Sequence, residues 1–66
     1  DYVKVFAEYP ISGTLRIFNT SGVLMYSAQL TSQYELIIST EAWTPGAYIL
    51  NYENNSSTSF TRLLKP

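Results

Sequence analysis

Hydrophobic and polar residues alternate with a period of two along most of the chain. At its start, Val3, Val5 and Ala7 alternate with Lys4 and Glu8. Such alternation is typical of β-strands, because successive side chains of a strand point to opposite faces of the sheet. The pattern predicts six strands, over residues 1–9, 14–18, 23–30, 34–39, 47–53 and 59–64.

Turn-forming residues separate these segments. The sequences PISG at 10–13 and NTSG at 19–22 both end in glycine, which tolerates the positive φ that tight turns need. The NTSG turn is short, so the strands on either side of it are expected to pair as an antiparallel hairpin. The sequence NNSST at 54–58 predicts a polar loop before the last strand.

Six short strands at intervals of about ten residues are typical of an all-β sandwich. Only residues 39–43 are compatible with a helical turn, for which Ser39 or Thr40 would be the cap. A chain of 66 residues forms one domain, because it is too short for a second core.

The stretch EAWTPGAYILNYE, at 41–53, joins a turn to a strand. Pro-Gly is the pair that a type II turn prefers, with Gly46 at the position that needs a positive φ. Trp43 has two interpretations: it covers one end of the core, or it is a platform for a ligand. We favour the first, because an aromatic binding face needs further rings in line with the tryptophan.

Composition excludes several classes of function. Four basic and five acidic residues give a net charge of −1, which lacks the positive field that nucleic acid requires. The chain has no cysteine and no histidine, and therefore no disulfide, no thiolate zinc site and no nucleophilic triad. We predict that it is not an enzyme and binds no cofactor or metal. Its carboxylates are scattered along the chain: Asp1, Glu8, Glu35, Glu41 and Glu53.

Two segments, LRIFNTSGVLMYS at 15–27 and residues 36–66, resemble a known family when taken together. The first has an apolar and aromatic strand, Asn-x-x-Gly and a second apolar strand. The second has an apolar strand, Pro-Gly-x-Tyr, a polar loop and a terminal Arg-Leu-Leu-Lys. In order and spacing they look like the C-terminal sorting domain of the type IX secretion system of the Bacteroidetes. The resemblance implies a small immunoglobulin-like antiparallel β-sandwich of about six to seven strands.

By this resemblance, the domain directs a cargo protein from the periplasm through an outer-membrane translocon to the cell surface or the extracellular space. A sortase-like protease then attaches the cargo to anionic lipopolysaccharide. We expect residues 1–66 to be a single sorting domain excised from a larger secreted protein. The residues that match the family's motifs, and that the secretion machinery is expected to recognise, are Gly22, Gly46, Tyr48, Arg62, Leu63, Leu64 and Lys65.

The last strand suggests a physical mechanism of recognition. An edge strand that follows a polar loop is able to leave its sheet and pair with a receptor by strand addition. Leu63 and Leu64 would then enter pockets, with Arg62 and Lys65 at the rim. Equally, residues 60–64 are simply the closing strand of the sandwich, with charges that protect its edge.

Two further functions remain open from the sequence. The first is a fibronectin-like or carbohydrate-binding accessory module of a secreted enzyme, which for sugar binding needs an exposed row of aromatic rings. The second is a domain that stays attached and acts as an adaptor at the cell surface. In isolation, exposed strand edges also allow a homodimer formed by strand exchange.

Overall fold

The computed structural model describes residues 2–66, so that Asp1 lies outside the described part of the chain. Four strands are present: β1 (Tyr2–Asn19), β2 (Leu24–Ser39), β3 (Gly46–Glu53) and β4 (Thr58–Lys65). They form one antiparallel sheet in the order β2-β1-β3-β4. No helix occurs within residues 2–66. The prediction of an all-β fold is confirmed.

The number of strands differs from the prediction. The structure has four strands in one sheet, and a sandwich of six to seven strands is not confirmed. Residues 2–9 and 14–18 of the first two predicted segments belong to β1, and residues 24–30 and 34–39 of the next two belong to β2. The turn predicted at 10–13 is wrong, because β1 continues through these residues.

A bulged bend takes the place of the predicted turn. Within it Ile11 still pairs with Gln33, and the register shifts on both sides of that pair. A β-bulge bends a strand and increases its twist without ending the pairing. Positive φ angles accompany the bend on both strands, at Gly13 (143°) and at Ser32 (48°). The Pro, Ser and Gly of this segment therefore bend a strand and do not end it.

The bend folds one half of the β1–β2 ribbon over the rest of the sheet. We call this half, residues 2–6 and 35–39, the arm. Val3 and Val5 of the arm border a cavity together with Leu50 of β3 and Leu63 of β4. The Cα trace is 15 Å across its shortest dimension, which accommodates two layers about 10 Å apart. The single sheet thus supplies both walls of its own core.

The core lies between the arm and the inner face of the sheet. Each large apolar side chain that is fully buried contributes about 1.5–3 kcal/mol to folding. Ile38 of the arm is only 1% exposed, which requires the arm to be covered on its inner side. The buried apolar residues, which come from β1, β2 and β3, are Leu15, Ile17, Leu30, Ile38, Tyr48 and Leu50.

The two connections predicted at 19–22 and 54–58 are confirmed. The side-chain Oδ1 of Asn19 accepts hydrogen bonds from the amides of Ser21 and Val23, both at 2.9 Å. Gly22 has a φ of 84° and donates its amide to the Asn19 carbonyl at 3.0 Å. In the polar loop, the side-chain Oδ1 of Asn54 likewise accepts hydrogen bonds from the amides of Ser56 and Ser57, both at 2.8 Å.

Replacing Gly13 by alanine tests the bend. A Cβ at Gly13 would lie 2.3 Å from the carbonyl oxygen of Glu53, and alanine would have to hold a φ of 143°. We expect Gly13→Ala to cost at least about 2 kcal/mol and to lower the Tm by roughly 10 °C in thermal unfolding followed by circular dichroism.

Gly22→Ala is the matched control, because Gly22 also has a positive φ but a Cβ there would meet nothing within 4 Å. We expect it to cost only about 1 kcal/mol, the penalty of a left-handed backbone. Equal losses in the two variants would contradict the close approach of β1 to Glu53.

Candidate functional site

Strand pairing brings the motif residues to one end of the sheet. At this end Asn19 pairs with Tyr48, and Gly46 pairs with Lys65. Gly22 lies in the turn that joins β1 to β2 at the same end. We call this end, which contains Gly22, Gly46, Tyr48 and residues 62–65, the motif end. The bend at Gly13 and the polar loop at 54–58 lie at the opposite end.

A turn formed by Thr40–Trp43 leads from β2 to β3 at the motif end. The amide of Trp43 donates to the carbonyl of Thr40 at 3.0 Å, which closes the turn. Thr40 is only 3% exposed. Of the residues considered for a helical turn, Ser39 ends β2 and residues 40–43 form this turn, without a helix.

Trp43 packs against the core, as we predicted. Its ring centroid lies 4.9 Å from that of Tyr48, with the planes tilted by 39°. Tilted aromatic pairs at this separation stabilise a fold by about 0.5–1.5 kcal/mol beyond the area that they bury. The half-buried indole therefore covers the motif end of the core.

Gly46 and Tyr48 fix the start of β3. Gly46 has a φ of 146°, which confirms the positive φ predicted for it. Tyr48 is 4% exposed, and its hydroxyl donates to the carbonyl of Thr44 at 2.5 Å. This hydrogen bond satisfies the phenol inside the protein and ties the loop before β3 to the core.

The four closing residues of the motif divide between the two faces of β4. Leu63 pairs with the buried Tyr48, so Leu63 and Lys65 lie on the inner face. Arg62 and Leu64 lie on the outer face, where Leu64 is 71% exposed. The two leucines expected to enter receptor pockets together therefore point in opposite directions from β4.

The side chain of Lys65 forms hydrogen bonds within the domain. Its ammonium donates hydrogen bonds to the carbonyl oxygens of Thr40 and Trp43, the latter at 2.5 Å. The carbonyl oxygen of Glu41 lies 3.5 Å from the same nitrogen. The side chain that we expected at the rim of a receptor thus reaches inward to the Thr40–Trp43 turn.

Phe60 is an exposed residue that the sequence reasoning did not select. It is 69% exposed and lies on the outer face of β4. Phe60, Arg62 and Leu64 follow one another at the period-two spacing of a strand, so they form one outward row. The same spacing is visible in the sequence FTRLL at 60–64, and it was the signal from which Phe60 could have been selected.

Within residues 2–66, the charged side chains form no cluster of three or more that could hold a metal ion. In the described part of the chain, two ion pairs lie at the surface: Lys4 with Glu35 at 3.5 Å, and Arg16 with Glu53 at 3.3 Å. Exposed pairs of this kind contribute about 0–1 kcal/mol. The described residues also contain no helix long and apolar enough to cross a lipid bilayer.

One comparison decides the family of the chain. The model of the family described as "Secretion system C-terminal sorting domain" matches residues 1–65. The chain belongs to this family. No curated protein and no solved structure gives a significant match.

Membership in the sorting-domain family confirms the resemblance and the function predicted from it. The domain is the C-terminal sorting signal for type IX secretion, and proteins that carry it are exported to the cell surface or the extracellular space. Such a signal interacts with the secretion machinery, and the domain family is non-catalytic. The match gives no support to an accessory module of a secreted enzyme.

The hydroxyl of Tyr48 offers a test of the motif end. Tyr48→Phe removes the donor to the Thr44 carbonyl, and we expect it to lower the free energy of unfolding by about 1 kcal/mol in a denaturant titration. Trp43 emission should report the same transition, because the two rings are in contact.

Tyr34→Phe is the control for Tyr48→Phe, because the Tyr34 side chain is 58% exposed. Its hydroxyl is accessible to water, and the substitution should change stability by less than about 0.5 kcal/mol. If both substitutions have the same effect, the bond from Tyr48 does not tie the loop to the core.

Proposed function

We propose that the secretion machinery recognises the sorting domain through the outward row of β4, formed by Phe60, Arg62 and Leu64. The observation that carries this proposal is the division of β4 into two faces. Leu63 and Lys65 pack and bond within the domain, whereas Phe60 and Leu64 are 69% and 71% exposed. The side chains of the outward row are accessible to a partner without unfolding the strand.

The position of β4 in the sheet favours recognition by strand addition. Among the described strands β4 is the last in the order β2-β1-β3-β4, and it pairs on one side only, with β3. The backbone groups on its other side are therefore available to a strand of a partner. Main-chain hydrogen bonds would supply affinity, and the outward side chains would supply specificity.

The chemistry of the outward row defines the partner surface. Arg62 is an exposed cation between two exposed apolar side chains at positions i−2 and i+2. A complementary surface has an acidic group between two apolar pockets, since a guanidinium pairs well with a carboxylate. The partner in this proposal is a component of the type IX translocon.

We propose the following events after recognition. A sortase-like protease would remove the sorting domain and attach the cargo to anionic lipopolysaccharide at the cell surface. The seven motif residues then have different parts. Gly22, Gly46, Tyr48, Leu63 and Lys65 support the shape of the motif end, and Arg62 and Leu64 contact the machinery.

Substitution of the outward row tests the proposal in a reporter fused to the sorting domain and expressed in a bacterium with a type IX system. We expect Phe60→Ser combined with Leu64→Ser to leave most of the reporter in the periplasm. Arg62→Glu should have the same effect by reversing the charge. Cell fractionation measures the distribution, and thermal unfolding of each purified domain verifies the fold.

Phe6→Ser is the matched control, because Phe6 is 74% exposed but lies on the arm. It removes an equally exposed aromatic ring from a different surface, and export should remain normal. Normal export of the Phe60, Arg62 and Leu64 variants would contradict recognition through the outward row.

Deletion of residues 62–66 is a coarser test of the same strand. It removes Arg62 and Leu64, two of the three residues of the outward row, together with Lys65, and we expect the cargo to remain in the periplasm. Export of this truncated fusion at the normal level would show that the end of β4 is not required at all.

A further inference from the structure

The Thr40–Trp43 turn surrounds the ammonium of Lys65 with backbone carbonyl groups. Those of Thr40 and Trp43 accept its hydrogen bonds, and that of Glu41 lies 3.5 Å away. A lysine ammonium has three donors and no acceptor, so three carbonyl oxygens match its requirement. The arrangement is a small binding site for a primary ammonium group.

A cavity lies beside this group and gives the lysine stem an apolar environment. It has a volume of about 180 Å³ and is bordered by Val3, Trp43, Tyr48, Leu63 and Lys65 itself, among others. Long cationic side chains cover apolar surface with their methylene groups while the charged end keeps polar partners. Lys65 therefore contacts the core with its stem and the turn with its ammonium.

We infer that the carbonyl groups of Thr40, Glu41 and Trp43 form an ammonium site whose occupation by Lys65 fastens the C-terminal end of β4. The site controls how readily this edge strand separates from the sheet. Without the hydrogen bonds of Lys65, the C-terminal end of β4 would be held to the sheet by its pairing with β3 and by the partly buried side chain of Leu63.

This inference does not depend on the outward row being the recognised surface. It concerns contacts inside the domain, and its readouts are hydrogen exchange and fluorescence of the isolated chain. The export of a reporter does not enter the test. Failure of one proposal therefore leaves the other intact.

Substitution of Lys65 tests the site. Lys65→Met keeps an unbranched apolar stem but removes the ammonium, and we expect about tenfold faster hydrogen exchange of the amides of β4 than in the wild type. Trp43 emission should shift to longer wavelength as the Thr40–Trp43 turn loosens. Lys4→Met is the control, because the side chain of Lys4 is 46% exposed in a surface ion pair. It should leave exchange in β4 unchanged.

Rescue by a small amine separates the ammonium site from a general loss of packing. Adding n-propylammonium to Lys65→Ala should restore slow exchange in β4, whereas tetramethylammonium at the same concentration should not, because it has no N–H donor. Equal effects of the two cations, or wild-type exchange in Lys65→Met, would overturn the inference.

A measurement on the wild-type chain decides the question if the Lys65 variants do not fold. Nitrogen-15 correlation spectra of lysine side chains detect ammonium protons that are held in hydrogen bonds, whereas those of freely solvated lysines exchange too fast. We expect a resolved signal from Lys65 and none from Lys4. The absence of a signal from Lys65 would overturn the inference.

Discussion

The whole structure depends on the bend that folds the β1–β2 ribbon back over its own sheet. A single four-stranded sheet buries one face only if something covers it, and this domain has no helix within residues 2–66 to do so. The arm provides the cover and places Val3 and Val5 against the inner face. Because the arm ends at the motif end, the turn after it reaches Lys65. One bulged bend thus creates both the core and the site around the last residues.

Short sequence patterns predicted the strand segments and turns whose structure depends on residues close together in the chain. Period-two alternation located the strands, Asn19 and Gly22 marked the hairpin turn, and Gly46 has the positive φ expected of it. The segment 10–13 was wrong for a physical reason: proline, serine and glycine suit a bulge as well as a turn. Whether a bulge or a turn forms depends on whether the partner strand bends as well. Nothing in the sequence around Ser32 indicated the positive φ of that residue.

The sequence predicted residues for a candidate site, and strand pairing brings them to one end of the sheet, but their orientations were not predictable. The family resemblance pointed to residues 62–65. Successive side chains of a strand point to opposite faces, so Leu63 and Leu64 lie on opposite faces of β4. Which of the two leucines faces the core depends on the register between β4 and β3. The sequence alone does not give this register. The contacts of Lys65 were also beyond the sequence, because its partners are backbone carbonyls of a turn 22 to 25 residues away.

Site-specific photo-crosslinking in exporting cells tests the central claim most directly. A photoreactive phenylalanine analogue would replace Phe60, Leu63 or Leu64 in turn, in a sorting domain fused to a reporter. The account predicts adducts with secretion machinery from the outward positions 60 and 64. The inward position 63, which packs against the core, should form adducts only within the domain. Capture of the machinery with equal yield from both faces of β4 would contradict the account.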